Sequence, residues 1–143
     1  MTEPQSIGPI DPPALPARAS AMRAEGWRLM QVCCTTAGPD FELLYSFAKD
    51  SDLRGIRAIV PREGARVPSI TGAYLCAFLY ENEIHDLFGV KFDGLAIDFQ
   101  GNFLKARMKN PFAARPLPDD PEQIPPGNCG PRPPAPAKET PTP

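Results

Sequence analysis

The chain has 143 residues, 42% hydrophobic and 22% charged, with a formal net charge of −2. That size and composition suit a single domain with a core large enough to fold. The mild acidity, without a clustered excess of Lys and Arg, argues against recognition of nucleic acid, because phosphate binding leaves a basic footprint.

The N-terminal stretch MTEPQSIGPIDPPALPARAS has neither a basic leader nor an apolar core of the secretory kind, so the chain is expected in the cytosol. Proline then divides the sequence: of 20, five precede residue 21, twelve lie from Pro111 onward, and only Pro39, Pro61 and Pro68 fall between. The expected organisation is a flexible N-terminal segment (1–20), a folded unit (21–110) and a proline-rich tail (111–143). Both ends lack the dense apolar pattern that offsets chain entropy. The terminus PRPPAPAKETPTP reads as polyproline II or disorder, either solvated or laid along a partner.

Within the central unit, GWRLMQVCCTT at 26–36 is followed by Ala-Gly-Pro-Asp and then by Phe41, Leu43, Tyr45 and Phe47 at period two. This pattern predicts a hairpin whose turn uses the freedom of Gly38 and the fixed φ of Pro39. Residues 53–60, β-branched near their end and stopped by Pro61, predict a further strand. After the loop PREGARVP, Ser69 stands as an N-cap candidate for a helix carrying Ile70, Ala73, Tyr74, Ala77 and Phe78. Leu75, Cys76 and Leu79 widen that apolar surface nearly all round, which suggests burial between the sheet and something else, such as a partner.

Helical spacing resumes at Ile84, Leu87 and Phe88, with Gly89 placed for a left-handed C-terminal cap. Residues 91–110 carry Asp-Gly and Gln-Gly-Asn turn signals around Leu95, Ile97 and Phe99, which reads as loop with one short strand. Strands first and helices afterwards predict an α+β fold: an antiparallel sheet of three or more strands under a helical layer, with disordered proline-rich ends. The longest apolar run, residues 70–80, is far short of the ~20 residues that cross a bilayer. Membrane attachment is therefore expected only through partners.

The segment YENEIHDLFGVKFDG places Glu81, Glu83, His85 and Asp86 within two helical turns. Glu81 and His85, four residues apart, share one helical face, and Glu83 and Asp86, three apart, share another. A metal site would need a further ligand, but His85 is the only histidine. Cys33, Cys34, Cys76 and Cys129 offer no CxxC pair, so they read as free thiols and no metal or iron–sulfur site is expected. Acid/base chemistry by Glu83 and Asp86 would need a cleft and a shifted pKa, and no nucleophile or phosphate-cradling loop accompanies them. The carboxylates then remain as a solvated face or as acceptors for Arg or backbone donors of a neighbouring subunit. Arg54, Arg57, Arg62 and Arg66 could pair with them inside the chain.

ENEIHDLFG at 81–89 resembles the signature of the 30-kDa subunit family of NADH:quinone oxidoreductase: Glu-Arg-Glu, an aliphatic, Tyr, Asp, an apolar residue, Phe-Gly. Glu81, Glu83, Asp86, Phe88 and Gly89 match it, Ile84 and Leu87 are conservative, and Asn82 and His85 replace the family's Arg and Tyr. The lead-in Val67, Pro68 and Ser69 fits as well, as do the strands from Trp27 to Pro61.

The resemblance implies a peripheral, non-catalytic subunit of an oxidoreductase complex, on the cytoplasmic face of the membrane and without a cofactor of its own. It would pack against a large catalytic subunit and an iron–sulfur small subunit, with Glu81, Glu83, Asp86, Phe88 and Gly89 as partner-binding residues. The basic His-Pro-Asp-Leu-Arg-Arg-Ile-Leu stretch that follows the signature in complex I is replaced here by KFDGLAIDFQGNFL. That continuation is similar to the accessory subunit of energy-converting membrane-bound [NiFe] hydrogenases, whose partners hold iron–sulfur clusters and a nickel-iron centre. Readings of other classes are a small metal- or acid-dependent hydrolase using Glu81, Glu83, His85 and Asp86, and a free adaptor acting through its proline-rich tail.

Overall fold

The structure, a computed structural model, describes residues 6–113. Three ten-residue strands, β2 (Arg28–Ala37), β3 (Asp40–Lys49) and β4 (Asp52–Pro61), form an antiparallel meander. Gly38, at φ 59°, and Pro39 make the first turn, as their types predict. The alternation in β3 is obeyed: Phe41, Leu43, Tyr45 and Phe47 are all buried, while Glu42, Leu44 and Ser46 on the other face are only half covered. A register shift between Leu29 and Gln31 puts a bulge in the outer strand β2.

A fourth strand, β1 (Ser6–Pro9), lies parallel to β4, giving the order β1-β4-β3-β2 and making the sheet mixed. Gly55 permits this approach, since a Cβ there would sit 3.0 Å from the Ile7 side chain and 3.3 Å from that of Leu44. Helix α1 (Leu15–Ala24) follows a short 3-10 turn. The segment expected to be flexible is thus a strand and most of a helix from residue 6 onward. The reason is spacing: Leu15, Ala19 and Met22 fall on one helical stripe and are buried in the same core as β3. The helix ends in a Schellman motif, in which Gly26 (φ 87°) donates to the Arg23 carbonyl at 3.0 Å and Trp27 to that of Met22 at 2.9 Å.

Two short strands, β5 (Arg66–Pro68) and β6 (Lys91–Asp93), pair in parallel and bracket helix α2 (Ala77–Phe88). The Arg66 guanidinium donates to both Asp93 carboxylate oxygens and clasps the pair on its exposed side. Residues 71–76 are turns, so the apolar run from Ile70 does not start a helix. The one short strand expected within 91–110 is β6, at the start of that range, where β5 supplies its backbone partner. Helix α2 and the turn before it cover the sheet face presented by β3: the Phe41 and Phe88 rings meet at 5.7 Å, and those of Phe47 and Tyr74 at 5.5 Å. The fold is the α+β class read from the sequence. Most of the tail expected at 111–143, with Cys129, lies outside the described residues.

Met22 is fully buried between α1 and the sheet. Met22→Ala is therefore expected to lower the unfolding free energy by about 2–5 kcal/mol, measured by urea titration. A loss of a few tenths would mean that α1 does not belong to the core.

Candidate functional site

Helix α2 carries the acidic signature. Cys76 occupies the N-cap without a side-chain cap bond, and Gly89 closes the helix at φ 80°, its N–H reaching the His85 carbonyl at 2.9 Å. A side chain at Gly89 would also collide with Asn110, whose amide nitrogen is 2.8 Å from where a Cβ would stand. The helix's polar residues divide into an inward and an outward set.

Glu81 points inward and is fully buried. Its Oε2 accepts the Ser69 hydroxyl at 2.5 Å, and its Oε1 accepts the Ile70 N–H at 2.9 Å. Ser69 Oγ also lies 2.7 Å from Thr71 Oγ1, which in turn accepts the Ala96 N–H at 3.0 Å. Ser69 is thus a partner of the helix's second turn, where the sequence suggested a cap for its start. Asn82, equally buried, donates to the carbonyls of Phe78 at 2.7 Å and Ile97 at 2.8 Å and accepts the Phe99 N–H at 3.0 Å. Asp86 Oδ2 accepts the Leu104 N–H at 2.5 Å, and the Asp86 carbonyl accepts that of Asn110 at 3.2 Å. The three side chains fasten α2 to the segment before it and to the long loop after it.

Of the other charged or titratable side chains on the helix, Glu83 is exposed and His85 partly covered; Leu87, Phe88 and Gly89 are partly covered too, with Phe88 packed on Phe41. From sequence, Glu81, Glu83 and Asp86 could face either solvent or donors; the structure gives Glu81 and Asp86 donors from their own chain. None of the four arginines suggested as partners is among them. Arg57 is 3.8 Å from Glu42, Arg66 holds Asp93, Arg54 lies over the Trp27 ring, and Arg62 reaches the carbonyls of Gly38 and Ala113. Glu83 and Asp86, expected to share a face, differ in environment, because Asp86 is turned under the loop at Leu104. Among the described residues no group of three or more His, Cys, Asp or Glu side chains is placed to hold a metal ion. In the sequence Asn82 stands out only as a replacement for the signature's Arg; its role as a buried anchor depends on Ile97 and Phe99, which lie 15 and 17 residues away.

Burial pushes the Glu81 carboxyl up to about 7, against the opposing pull of its bonds from Ser69 and Ile70. The Tyr45 hydroxyl, buried without a partner among the described residues, is also raised, by burial first and then by the charges of Glu81 and Cys34. Cys34 is raised to about 12 by burial and by neighbouring Cys33, which leaves its thiol inert as a nucleophile near neutrality.

The sign for Glu81 follows from linkage. Its folded value lies above the ordinary value of 4.5, so the native state binds the proton more tightly than the unfolded chain does. The associated stability is fully present below about pH 4.5 and is lost as pH rises through about 7. At about 1.4 kcal/mol per pKa unit, the change is on the order of 3 kcal/mol. Glu81→Gln keeps an acceptor for Ile70 and a group able to bond Ser69. It should flatten this part of the pH dependence in urea unfolding between pH 5 and pH 8, whereas an equally steep profile in both proteins would show that Glu81 is not its source.

A family model described as the 30-kDa subunit of respiratory-chain NADH dehydrogenase matches residues 9–117. Among solved structures, a chain of the membrane-bound sulfane sulfur reductase, an archaeal respiratory membrane complex, is similar with a TM-score of 0.67 at 16% identity, over 85% of this chain and 74% of that one. The trypsin-resistant fragment of Nqo5 is similar with a TM-score of 0.56 at 23% identity, over 64% of this chain and 80% of that one. At these identities the structural likeness carries the fold alone. No curated protein matches the sequence.

Proposed function

The chain belongs to the family of the respiratory-chain NADH dehydrogenase 30-kDa subunit, and on that premise we propose that it is a non-catalytic buttress for the large catalytic subunit of its complex. Family membership makes it a subunit of a multi-subunit respiratory complex. The role within that assembly is read from α2. Its buried carboxylates and Asn82 use their hydrogen bonds on the chain's own backbone, which supports a braced platform in preference to a reacting centre. Of the signature positions, Glu83 is the exposed charge, whereas Phe88 packs on Phe41 and Phe112 and Gly89 lies against Asn110. In this reading Glu83 accepts from a cation or backbone donor of the large subunit, and Glu81 and Asp86 support the interface from beneath.

The finer assignment is to an energy-converting [NiFe] hydrogenase rather than to complex I. The continuation KFDGLAIDFQGNFL after the signature supports it. The chain would hold no cofactor, with the iron–sulfur clusters and the nickel-iron centre in the small and large subunits beside it. No helix of the described residues is long and apolar enough to cross a membrane. In the proposal, attachment to the cytoplasmic face runs through those partners.

Affinity purification of the tagged chain from its native membranes tests the reading. It should bring down a large oxidoreductase subunit with a nickel-iron centre; flavin- and NADH-binding subunits would instead assign the chain to complex I. Glu83→Ala should weaken retention of the large subunit by about 2–5 kcal/mol if its partner cation is buried, with the variant's own unfolding curve unchanged. Undiminished assembly and complex activity in Glu83→Ala would remove α2 as the docking element.

A further inference from the structure

The near-neutral charge of the chain conceals a local asymmetry beyond β6. Residues 99–118 contain Lys105, Arg107, Lys109 and Arg115 and not one Asp or Glu. Within the described part of this stretch, the backbone makes an excursion closed on a single residue. Leu104 N–H meets the Asp86 carboxylate at 2.5 Å, and Asn110 N–H meets the Asp86 carbonyl at 3.2 Å. Phe112 N–H then bonds the Leu87 carbonyl at 2.9 Å, and the Phe112 ring packs 5.5 Å from that of Phe88, which anchors the returning end. A loop whose two ends are pinned side by side is a compact surface element, and such loops are frequently functional.

Lys105, Ala106, Arg107, Met108 and Lys109, the five residues of the excursion, are all exposed. The loop stands off α2 across a cleft of about 560 Å³ bordered by His85 and Asp86. Met108 is 66% exposed, the most open of the large apolar side chains among the described residues. Neither Lys105, Arg107 nor Lys109 makes an ion pair with any described residue. A flexible thioether and a guanidinium held outward on a closed loop, with a lysine on either side, combine the side-chain types enriched at the centres of protein interfaces with steering charges at the edge.

We propose that residues 105–109 form a docking knob that seats Met108 and Arg107 in an apolar pocket with an acidic rim on a neighbouring protein subunit. This deepens the proposed function and rests on it: the knob is a second contact, separate from Glu83, at the opposite charge. A protein pocket is favoured over a membrane surface on two counts. The excursion itself carries three cations, Lys105, Arg107 and Lys109, fewer than the about four to eight clustered cations that mark a lipid-binding segment. The excursion also presents one apolar side chain on irregular backbone, where an interfacial helix would lay down a whole apolar face. Asp86 acts as the positioning residue, since its two bonds set where the knob stands.

The test compares the complex isolated through the tagged full-length chain, wild type against Arg107→Glu combined with Met108→Ser, and against Met108→Ser alone. The variant side chains are exposed, so unfolding curves should superimpose on the wild type. The double variant should retain partner subunits about tenfold or more less well, with Met108→Ser intermediate. Wild-type retention should fall as salt is raised, and the double variant should have lost that salt dependence. If wild type captures partners and the double variant captures them equally, the knob is refuted while the subunit assignment stands. If wild type captures no partner, the assignment fails and the inference with it. Binding of the wild-type chain, but not the double variant, to phosphatidylglycerol vesicles, with assembly unaffected, would make the occupant a lipid surface and overturn the proposal.

Discussion

Three buried polar side chains within two turns of α2 fasten the irregular segments on either side of the helix to it. Glu81 grips the backbone at Ile70, Asn82 the loop at Ile97 and Phe99, and Asp86 the strap at Leu104. Burying such groups is unfavourable unless their hydrogen-bonding capacity is met, and leaving one unmet costs about 1–3 kcal/mol. Here the donors come from backbone that has no ladder of its own, so each side chain satisfies an irregular segment and is satisfied by it. Most of residues 94–113 has no regular secondary structure, and its course over α2 is set by these bonds and by the Phe88–Phe112 contact.

The arrangement divides labour along the signature. Residues that a sequence comparison would group as one acidic motif serve two ends. Glu81 and Asp86 are architectural, and Glu83 remains as a free charge. The bracing is incomplete in one place: Asp86 Oδ1 is buried with no donor among the described residues. That oxygen lies at the foot of the basic loop, so the platform on one side of Asp86 and the knob on the other share a support. Such rigidity suits the proposed role of holding a neighbour in register, because interface contacts lose less entropy when their backbone is already fixed.

Much of the fold was legible because its determinants are local. The alternation in β3, the Gly-Pro turn and the left-handed Gly89 each depend on residues within a few positions, and the structure has all three. Strand β1 and helix α1 were not legible. Ser-Ile-Gly-Pro has little strand character until Gly55, far along the chain, leaves room for Ile7. The stripe of Leu15, Ala19 and Met22 is thin and set among prolines and alanines. The acidic helix was seen as a helix, but a sequence does not distinguish a solvated carboxylate from a buried one when its donors come from elsewhere. Ile70 lies 11 residues from Glu81, and Leu104 lies 18 from Asp86. The Ser69 hydroxyl misled for the same reason: a serine after proline has the composition of a cap, and only the return of α2 gives it Glu81 instead.

Amide hydrogen exchange on the isolated full-length chain addresses the central claim most directly, because it reads the donors that the buried side chains hold. The amides of Ile70, Phe99 and Leu104 should exchange slowly with no partner present, and Asp86→Ala should release Leu104 while leaving protection in the β2–β3–β4 meander intact. Exchange at those three amides as fast as in unprotected loop, becoming slow only within the assembled complex, would contradict the account. It would mean that the acidic helix is braced by its neighbour and not by its own chain.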